Sequence, residues 1–306
     1  MERPRIGFVG VGLMGHGIAQ VFALAGHDVT ITDSVKSSLD SAKARILANL
    51  KDLGDDQRAV DRVTPIADLA AAVRNADYVV EAVLEDLSLK QKLFVEIEKH
   101  VRPDAILASN TSVIPITKIM EGLARPERAL GTHWWNPPFL VPLAEIIETQ
   151  WTSPQTVNFT MALHAAAGKN PAHVKKDVPG FIGNRLQHAL WREAVALVEQ
   201  GICDAETVDN VIKAAFGRRL AVLGPLENAD MVGTDLTLAI HKTVLPDIDS
   251  RRAPSPYLEK LVKEGKLGFK SGEGFRKWSP EQQSRLRSKV LQYLKNARAE
   301  DANGKS

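Results

Sequence analysis

Arg5-Ile6-Gly7-Phe8-Val9-Gly10-Val11-Gly12-Leu13-Met14-Gly15 is the stretch on which the fold turns. A short apolar run over residues 5–9 meets a glycine turn at once, and a helical pattern follows, with Ile18, Val21, Phe22 and Ala25 on one face and Gly26 as its stop. The order is strand, glycine turn, helix. The glycines let the backbone turn tightly and let a pyrophosphate come close, while the helix N-terminus offers free N–H groups and a partial positive charge to that anion. Val29-Thr30-Ile31-Thr32 reads as a second strand ending in Asp33, whose carboxylate can accept hydrogen bonds from an adenosine ribose and repel a 2′-phosphate. The pattern therefore predicts a dinucleotide site built from Gly10, Gly12, Leu13, Met14, Gly15 and Asp33, with NAD favoured over NADP and Lys36 as the one nearby counter-charge.

Downstream, residues 35–53 read as a helix with Leu39, Ala42, Ile46 and Leu50 on a buried face, and residues 52–62 as a charge-mixed surface loop. Tyr78-Val79-Val80-Glu81-Ala82-Val83 is a buried strand leading to Glu85, residues 88–100 are helical, and Ala105-Ile106-Leu107-Ala108 is a strand ending in Ser109-Asn110-Thr111-Ser112. Regular alternation implies a parallel sheet with helices on both faces, and it brings the strand ends at Gly10, Asp33, Glu85 and 110–112 to one crevice. The polar groups at 109–112 either face a ligand there or cap the helix that starts near Ile114-Pro115.

The stretch Gly131-Thr132-His133-Trp134-Trp135-Asn136-Pro137-Pro138 through Ile147 holds a histidine and a glutamate in apolar surroundings, separated by a segment of turn composition. If the runs around His133 and Glu145 are neighbouring strands, the carboxylate meets the imidazole. Such a pair fixes the ring tautomer and favours imidazolium, so that the histidine can take a proton from a hydroxyl group. The other reading is a core histidine and an edge-strand glutamate.

A helix over about 153–167 and a run through Val174 to Asp177 end the alternation at Val178-Pro179-Gly180. From there the signals are helical: Phe181 to Gln200, a helix capped by Asp204, one over about 227–244, one over about 256–264 and a basic one over 281–297, with 299–306 as a frayed tail. The expected architecture is α/β, a Rossmann-type doubly wound sheet domain over residues 1–180 followed by an all-α domain over 181–306. Two domains suit a chain of 306 residues. A formal charge of +2 without a run of Lys and Arg excludes an electrostatic footprint for nucleic acid or an anionic membrane, and points to a small-molecule partner. The single cysteine, Cys203, fits a reducing compartment and no metal cluster, and the absence of a signal-type leader or a bilayer-length apolar run fits a cytoplasmic protein.

These motifs together resemble the L-3-hydroxyacyl-CoA dehydrogenase family from about Arg5 to Trp278. The resemblance rests on Gly10-x-Gly-x-Met-Gly15-x-Gly17, Val80-Glu81-Ala82-x-x-Glu85, Ser109-Asn110-Thr111-Ser112, and His133-x-x-Asn136-Pro137 with Glu145. It extends to Asp177-x-Pro179-Gly180-Phe181-Ile182-x-Asn184-Arg185, Gly224-Pro225, and Pro254-Ser255-Pro256 with Gly272-Glu273-Gly274-Phe275. It implies oxidation of the C3 hydroxyl of an (S)-3-hydroxyacyl substrate with NAD⁺, as in fatty acid metabolism. His133 would be the base, Glu145 its orienting partner, and Ser112 and Asn184 the groups that hold the substrate oxygen. By the same resemblance Asp33, Glu85, Lys90 and Lys270 would contact NAD, and the helical domain would form a homodimer.

The chain departs from that pattern in three places. Residues 33–81 look shorter than in the CoA-using members and carry no basic cluster, since Asp52, Asp55, Asp56 and Asp61 offset Lys51, Arg58 and Arg62. Tryptophans 134 and 135 stand where phenylalanines are usual, and Gly217-Arg218-Arg219-Leu220 to Pro225 looks more like relatives that oxidise free hydroxy acids such as L-gulonate (lambda-crystallin among them) or L-carnitine. There Arg218 or Arg219 either clamps a substrate carboxylate or stays solvated after a helix end. Acyl-CoA and free acid thus both stand as substrate classes. A 6-phosphogluconate or 3-hydroxyisobutyrate type dehydrogenase would need a lysine base in the helix after the sheet domain, and 180–185 offers none. A non-catalytic NAD-binding protein would predict a broken site, against which intact His133, Glu145, Ser112 and Asn184 argue.

Overall fold

The computed structural model describes residues 3–303; Met1, Glu2 and residues 304–306, the end of the expected tail, lie outside the described residues. The chain divides into two compact units, one holding the residues up to Arg185 and those from Leu291 onward, the other Leu186–Val290. The first is built on an eight-stranded sheet. Its strands are β1 (Ile6–Val9), β2 (Val29–Thr32), β3 (Val63–Pro65), β4 (Tyr78–Glu81), β5 (Ile106–Ser109), β6 (Ala129–Trp134), β7 (Leu143–Ile147) and β8 (Asn170–Val174), in the order β3-β2-β1-β4-β5-β6-β7-β8. All neighbours run parallel except β6 and β7. Between them run α1 (Leu13–Leu24), α2 (Lys36–Leu53), α3 (Leu69–Val73), α4 (Leu87–His100), α5 (Ile116–Met120) and α6 (Pro154–Ala166).

Strands β1, β4 and β5 are buried along their whole length, which is why they read as unbroken apolar runs rather than as alternating ones. Their side chains divide between two cores. Phe8, Ile31, Val80 and Trp134 pack with Ile18, Phe22 and Ile46, whereas Val9, Val79 and Leu107 pack with Phe94, Ile97 and Ile116. The chain leaves β1 for β2 on one side and later returns to β4 on the other, so the C-terminal ends of β1 and β4 flank the switch point where ligands of such sheets bind.

The expected surface loop over 52–62 is in fact the end of α2 and a 3₁₀ turn, Gln57–Arg62, which feeds β3. A three-residue strand and the five-residue α3 are too short for any periodicity to appear in the sequence. The run through Val174 is the edge strand β8, where Pro171 is tolerated because the sheet ends there.

In the second unit α7 (Gly183–Glu199) enters and is followed by α8 (Ala205–Ala214), α9 (Pro225–Val232), α10 (Thr234–Val244), α11 (Pro256–Lys263) and the start of α12 (Pro280–Asn303). The single helix expected over 227–244 is broken into α9 and α10 at Gly233, whose φ of 99° no helix accommodates. The tail expected to fray from Ala299 stays helical through Asn303. Within the first unit the end of α12 is tied down by Lys295 to Asp52 at 2.8 Å and Arg298 to Asp55 at 2.9 Å. Among the described residues no helix is long and apolar enough to cross a membrane.

His164 on α6 is fully buried among Phe22, Tyr78 and Trp134, and its Nδ1–H donates to the Thr160 carbonyl at 2.8 Å. Burial pulls its pKa down to about 4, so the folded ring stays neutral while an unfolded histidine takes a proton below pH 6.5. Stability that is complete above pH 6.5 should therefore fall as pH drops from 6.5 to 4, by up to roughly 3 kcal/mol from this group alone. Urea titrations across that range should give a shallower pH slope for His164→Phe than for the wild type. Identical slopes would mean that His164 is not the source.

Candidate active site

The antiparallel pairing of β6 and β7 sets His133 directly opposite Glu145. Both are enclosed, at 4% and 1% exposure, and His133 Nδ1 lies 2.8 Å from Glu145 Oε2. Because a carboxylate only accepts, Nδ1 carries the proton and Nε2 is the acceptor of the neutral ring. The second carboxylate oxygen, Oε1, accepts from the backbone N–H groups of Ile182 at 2.9 Å and Gly183 at 3.0 Å. Burial alone would raise the Glu145 pKa. The bonds from His133, Gly183 and Ile182 outweigh it and hold the carboxyl below its ordinary range, so it stays ionised.

Those N–H groups are available because the chain turns sharply into α7, through Gly180 at φ 75° and Phe181 at φ 52°. A phenylalanine in the left-handed region costs roughly 1–2 kcal/mol. Complete burial of its ring, 5.6 Å from that of His133, offsets the cost. The ring of Trp135 also lies against that of His133, at 5.3 Å, and a Cβ at Gly183 would come within 2.5 Å of its Cζ2, so only glycine lets helix and indole approach. The connection between β6 and β7 is anchored by Lys169, whose ammonium donates to the carbonyls of Pro138 and Val141 and sits 4.7 Å over the ring of Trp134.

Residues 109–113 are ordered by two glutamates. Glu81 is buried at the end of β4 and accepts from Lys90 Nζ, Val83 N–H and Ser109 Oγ, each at 2.7 Å. Glu85 Oε1 accepts from Thr111 Oγ1 at 2.6 Å, Ser112 N–H at 2.9 Å and Val113 N–H at 3.2 Å, while Lys90 lies 3.4 Å from Oε2. Burial pushes the Glu85 pKa up, and the bonds from Thr111 and Ser112, with the Lys90 charge, bring it down below the usual range. The hydroxyls of this loop therefore do not cap α5; Pro115 at its start has no side-chain acceptor to offer, and Asp177 Oδ2 accepts from the Thr117 N–H of its first turn at 2.6 Å. The loop is also joined to the start of α7, where Asn184 Nδ2 donates to the Ser112 carbonyl at 2.9 Å. Lys90 is only 1% exposed, so its charge reaches the crevice through Glu85 rather than directly. The signal for this cluster was present in the sequence: a glutamate closing an apolar strand, and a lysine on the face of α4 that also carries the buried Phe94 and Ile97.

At the glycine turn, a Cβ on Gly15 would come within 1.9 Å of the Gly10 carbonyl, so Gly15 is required by the protein itself. Gly12 differs. A Cβ there would meet nothing within 4 Å and would occupy open space in front of the N-terminus of α1, where unpaired N–H groups favour an anion. Met14 is half-buried, and Leu13 is exposed at 68% beside that space. Asp33 Oδ2 accepts from Val11 N–H and Oδ1 from Val35 N–H, both at 2.8 Å, which leaves a lone pair on each oxygen for a ribose hydroxyl. These residues fit a dinucleotide. Arg218, Arg219 and Lys270 belong to the second unit and are exposed there. Gly12→Ala should thus leave the thermal midpoint nearly unchanged and raise the Kd for NADH by tenfold or more, about 1.4 kcal/mol. A fluorescence titration showing wild-type affinity would remove Gly12 from the cofactor's path.

Two family models match the chain, the NAD binding domain of 3-hydroxyacyl-CoA dehydrogenase over residues 5–178 and the C-terminal domain of the same family over residues 180–278. Among curated relatives, the 5-formyl-3-hydroxy-2-methylpyridine 4-carboxylate 5-dehydrogenase of Mesorhizobium japonicum is 36% identical over 94% of this chain and 95% of its own. A crystal structure of a dehydrogenase of that name, described as an NAD⁺-dependent dismutase, superposes with a TM-score of 0.90 at 35% identity, covering 97% of this chain and 98% of that one. The (S)-3-hydroxybutyryl-CoA dehydrogenase of Ralstonia eutropha superposes with a TM-score of 0.76 at 31% identity, covering 91% of this chain and all of that one. With both family domains matched in order and the dinucleotide cradle intact, the chain belongs to the 3-hydroxyacyl-CoA dehydrogenase family and is an NAD-dependent oxidoreductase acting on a CH–OH group.

Proposed function

We propose that this protein oxidises the C3 hydroxyl of an (S)-3-hydroxyacyl substrate to the 3-keto product, with His133 as the general base. The observation that carries this reading is the enclosed His133–Glu145 pair, with Nδ1 committed to the carboxylate at 2.8 Å. Nε2 accepts the hydroxyl proton, and the imidazolium that forms faces a carboxylate already held ionised by two backbone N–H groups. Ser112 and Asn184, linked to each other beside the pair, hold the substrate oxygen. NAD⁺, when bound, supplies the hydride acceptor. Asp33 would hold its ribose, the turn from Gly10 to Gly15 its pyrophosphate, and the loop that Glu85 orders its nicotinamide side, with Lys90 behind Glu85.

A second reading, a free carboxylate substrate in place of a CoA thioester, is favoured by two observations. The overall likeness is greater to the pyridine-carboxylate dehydrogenase than to the hydroxybutyryl-CoA enzyme, and the substrate in that relative's name is a free acid. The segment after α2 is a single 3₁₀ turn in which Arg58 is committed to Asp56 at 2.9 Å, leaving little positive charge for the phosphates of CoA. Arg218 or Arg219 would then take the substrate carboxylate. We further propose a cytoplasmic homodimer formed through the helical unit, whose α7, α9 and α10 expose Leu186, Leu226, Met231 and Leu236. A role in fatty acid metabolism follows if the substrate is the thioester.

His133→Ala should lower turnover by about 10²–10⁴-fold and leave NADH affinity nearly unchanged, as loss of a general base does. Equal turnover in both proteins would take His133 out of the mechanism. NADH production from 3-hydroxybutyryl-CoA, free 3-hydroxybutyrate, L-carnitine and L-gulonate, run side by side near neutral pH, separates the two substrate readings. Turnover of the thioester alone demotes Arg218 and Arg219 to surface charges, and turnover of a free acid alone makes them the leading carboxylate site.

A further inference from the structure

The glycine turn is held from beneath by an arginine. Arg45 reaches from the middle of α2, and its Nη2 donates to the Val11 carbonyl at 2.7 Å and the Ser38 carbonyl at 2.9 Å, while Nη1 donates to the Gly12 carbonyl at 3.3 Å. His16, on the first turn of α1 and 7% exposed, adds a second donor, with Nδ1 at 2.6 Å from the same Gly12 carbonyl. The 2.6 Å contact with a carbonyl, which only accepts, assigns the proton to Nδ1; Arg45 Nη1, 3.0 Å from Nδ1, then directs its hydrogen to the Gly12 carbonyl rather than to the ring, and Nε2 accepts from Asn49 Nδ2 at 3.4 Å. Burial lowers the His16 pKa, the Gly12 carbonyl works against that, and the Arg45 charge lowers it again, so the ring is neutral and adds no repulsion of its own.

The consequence follows from peptide geometry. In a planar trans peptide the C=O and the next N–H point in opposite directions. With the carbonyls of Val11 and Gly12 both drawn inward to Arg45 and His16, the N–H groups of Gly12 and Leu13 are turned outward, to the side where Gly12 leaves open space. The guanidinium also places a full positive charge under the turn, in line with the partial charge of the α1 N-terminus.

We propose that Arg45, with neutral His16, is a positioning residue for the dinucleotide pyrophosphate. It locks the turn in its anion-accepting conformation and supplies part of the field that attracts the phosphates. This rests on the NAD-binding assignment alone and is independent of which hydroxyl substrate the enzyme oxidises.

The test is binding of NADH, ADP-ribose and adenosine to the full chain without substrate, by fluorescence and calorimetric titration, for wild type, Arg45→Met and Arg45→Lys. Arg45→Met should raise the Kd of NADH and of ADP-ribose about tenfold, leave that of adenosine unchanged and flatten the salt dependence of NADH binding. Arg45→Lys keeps the charge but loses the forked grip, so its Kd for NADH should fall between the other two. Unchanged NADH affinity in Arg45→Met overturns the proposal. So does an equal loss for adenosine, which would make Arg45 a support of the fold at large. If Arg45→Met does not fold, Arg45→Gln, which keeps one carbonyl donor without the charge, serves the same comparison.

Discussion

One buried carboxylate sets the conditions for the rest of the site. Glu145 is taken out of water almost completely, and an isolated carboxylate so placed would be protonated rather than charged. It remains charged because three donors meet it, one from His133 and two from the entry to α7, the N–H groups of Ile182 just before the helix and of Gly183 at its start. Each donor imposes a structural demand. The histidine must lie directly across the ladder, which requires β6 and β7 to be antiparallel in this register, since a slip by one residue would turn Glu145 to the opposite face of the sheet. The N–H groups must be unpaired and aimed, which requires a helix to begin there after a turn that only a positive φ can make.

A second enclosed group works on the same principle at the ends of β4 and β5. Glu81 and Lys90 are both buried, and neither would be tolerated without the other. Their pairing leaves Lys90 close enough to Glu85 to help hold that carboxylate ionised, and Glu85 then gathers three donors from residues 111–113. Charge buried under the sheet ends is thus used to give shape to an exposed loop. Asn184 closes the link by binding that loop to the helix start that serves Glu145.

What could be read from the sequence was what short-range sterics determine. The strand-turn-helix opening was legible because its glycines answer to contacts within the same unit, such as the Gly10 carbonyl over Gly15. In the structure a period of two divides the tryptophans: His133 and Trp135 lie on one side of the chain with tilted rings 5.3 Å apart, while Trp134 turns to the other side and joins the core. The meeting of His133 with Glu145 was legible only as a condition, because a spacing of twelve residues says nothing about register until the partner strand is known. Elements as short as β3 and α3 left no periodic trace, and the break at Gly233 hid inside a continuous helical pattern. The attachment of the last helix to the first unit depends on ion pairs from Lys295 and Arg298 to Asp52 and Asp55, partners more than two hundred residues away in the chain.

The glycine turn ties cofactor choice to turn geometry. The same peptide segment is held from two directions, with the Val11 N–H donating to Asp33 and the Val11 carbonyl accepting from Arg45. In the proposed reading Asp33 disfavours a 2′-phosphate by its charge, and it is also one of the three groups that fix the turn proposed to receive the pyrophosphate. Replacing it with a neutral side chain to admit NADP would remove an acceptor from Val11 as well as a repulsive charge. The turn would then be held by Arg45 and His16 alone, from the carbonyl side. Any gain in tolerance of the extra phosphate is set against a looser seat for the phosphates common to both cofactors. In this chain a change of cofactor preference therefore requires a substitute acceptor for the Val11 N–H, and not merely the loss of a negative charge.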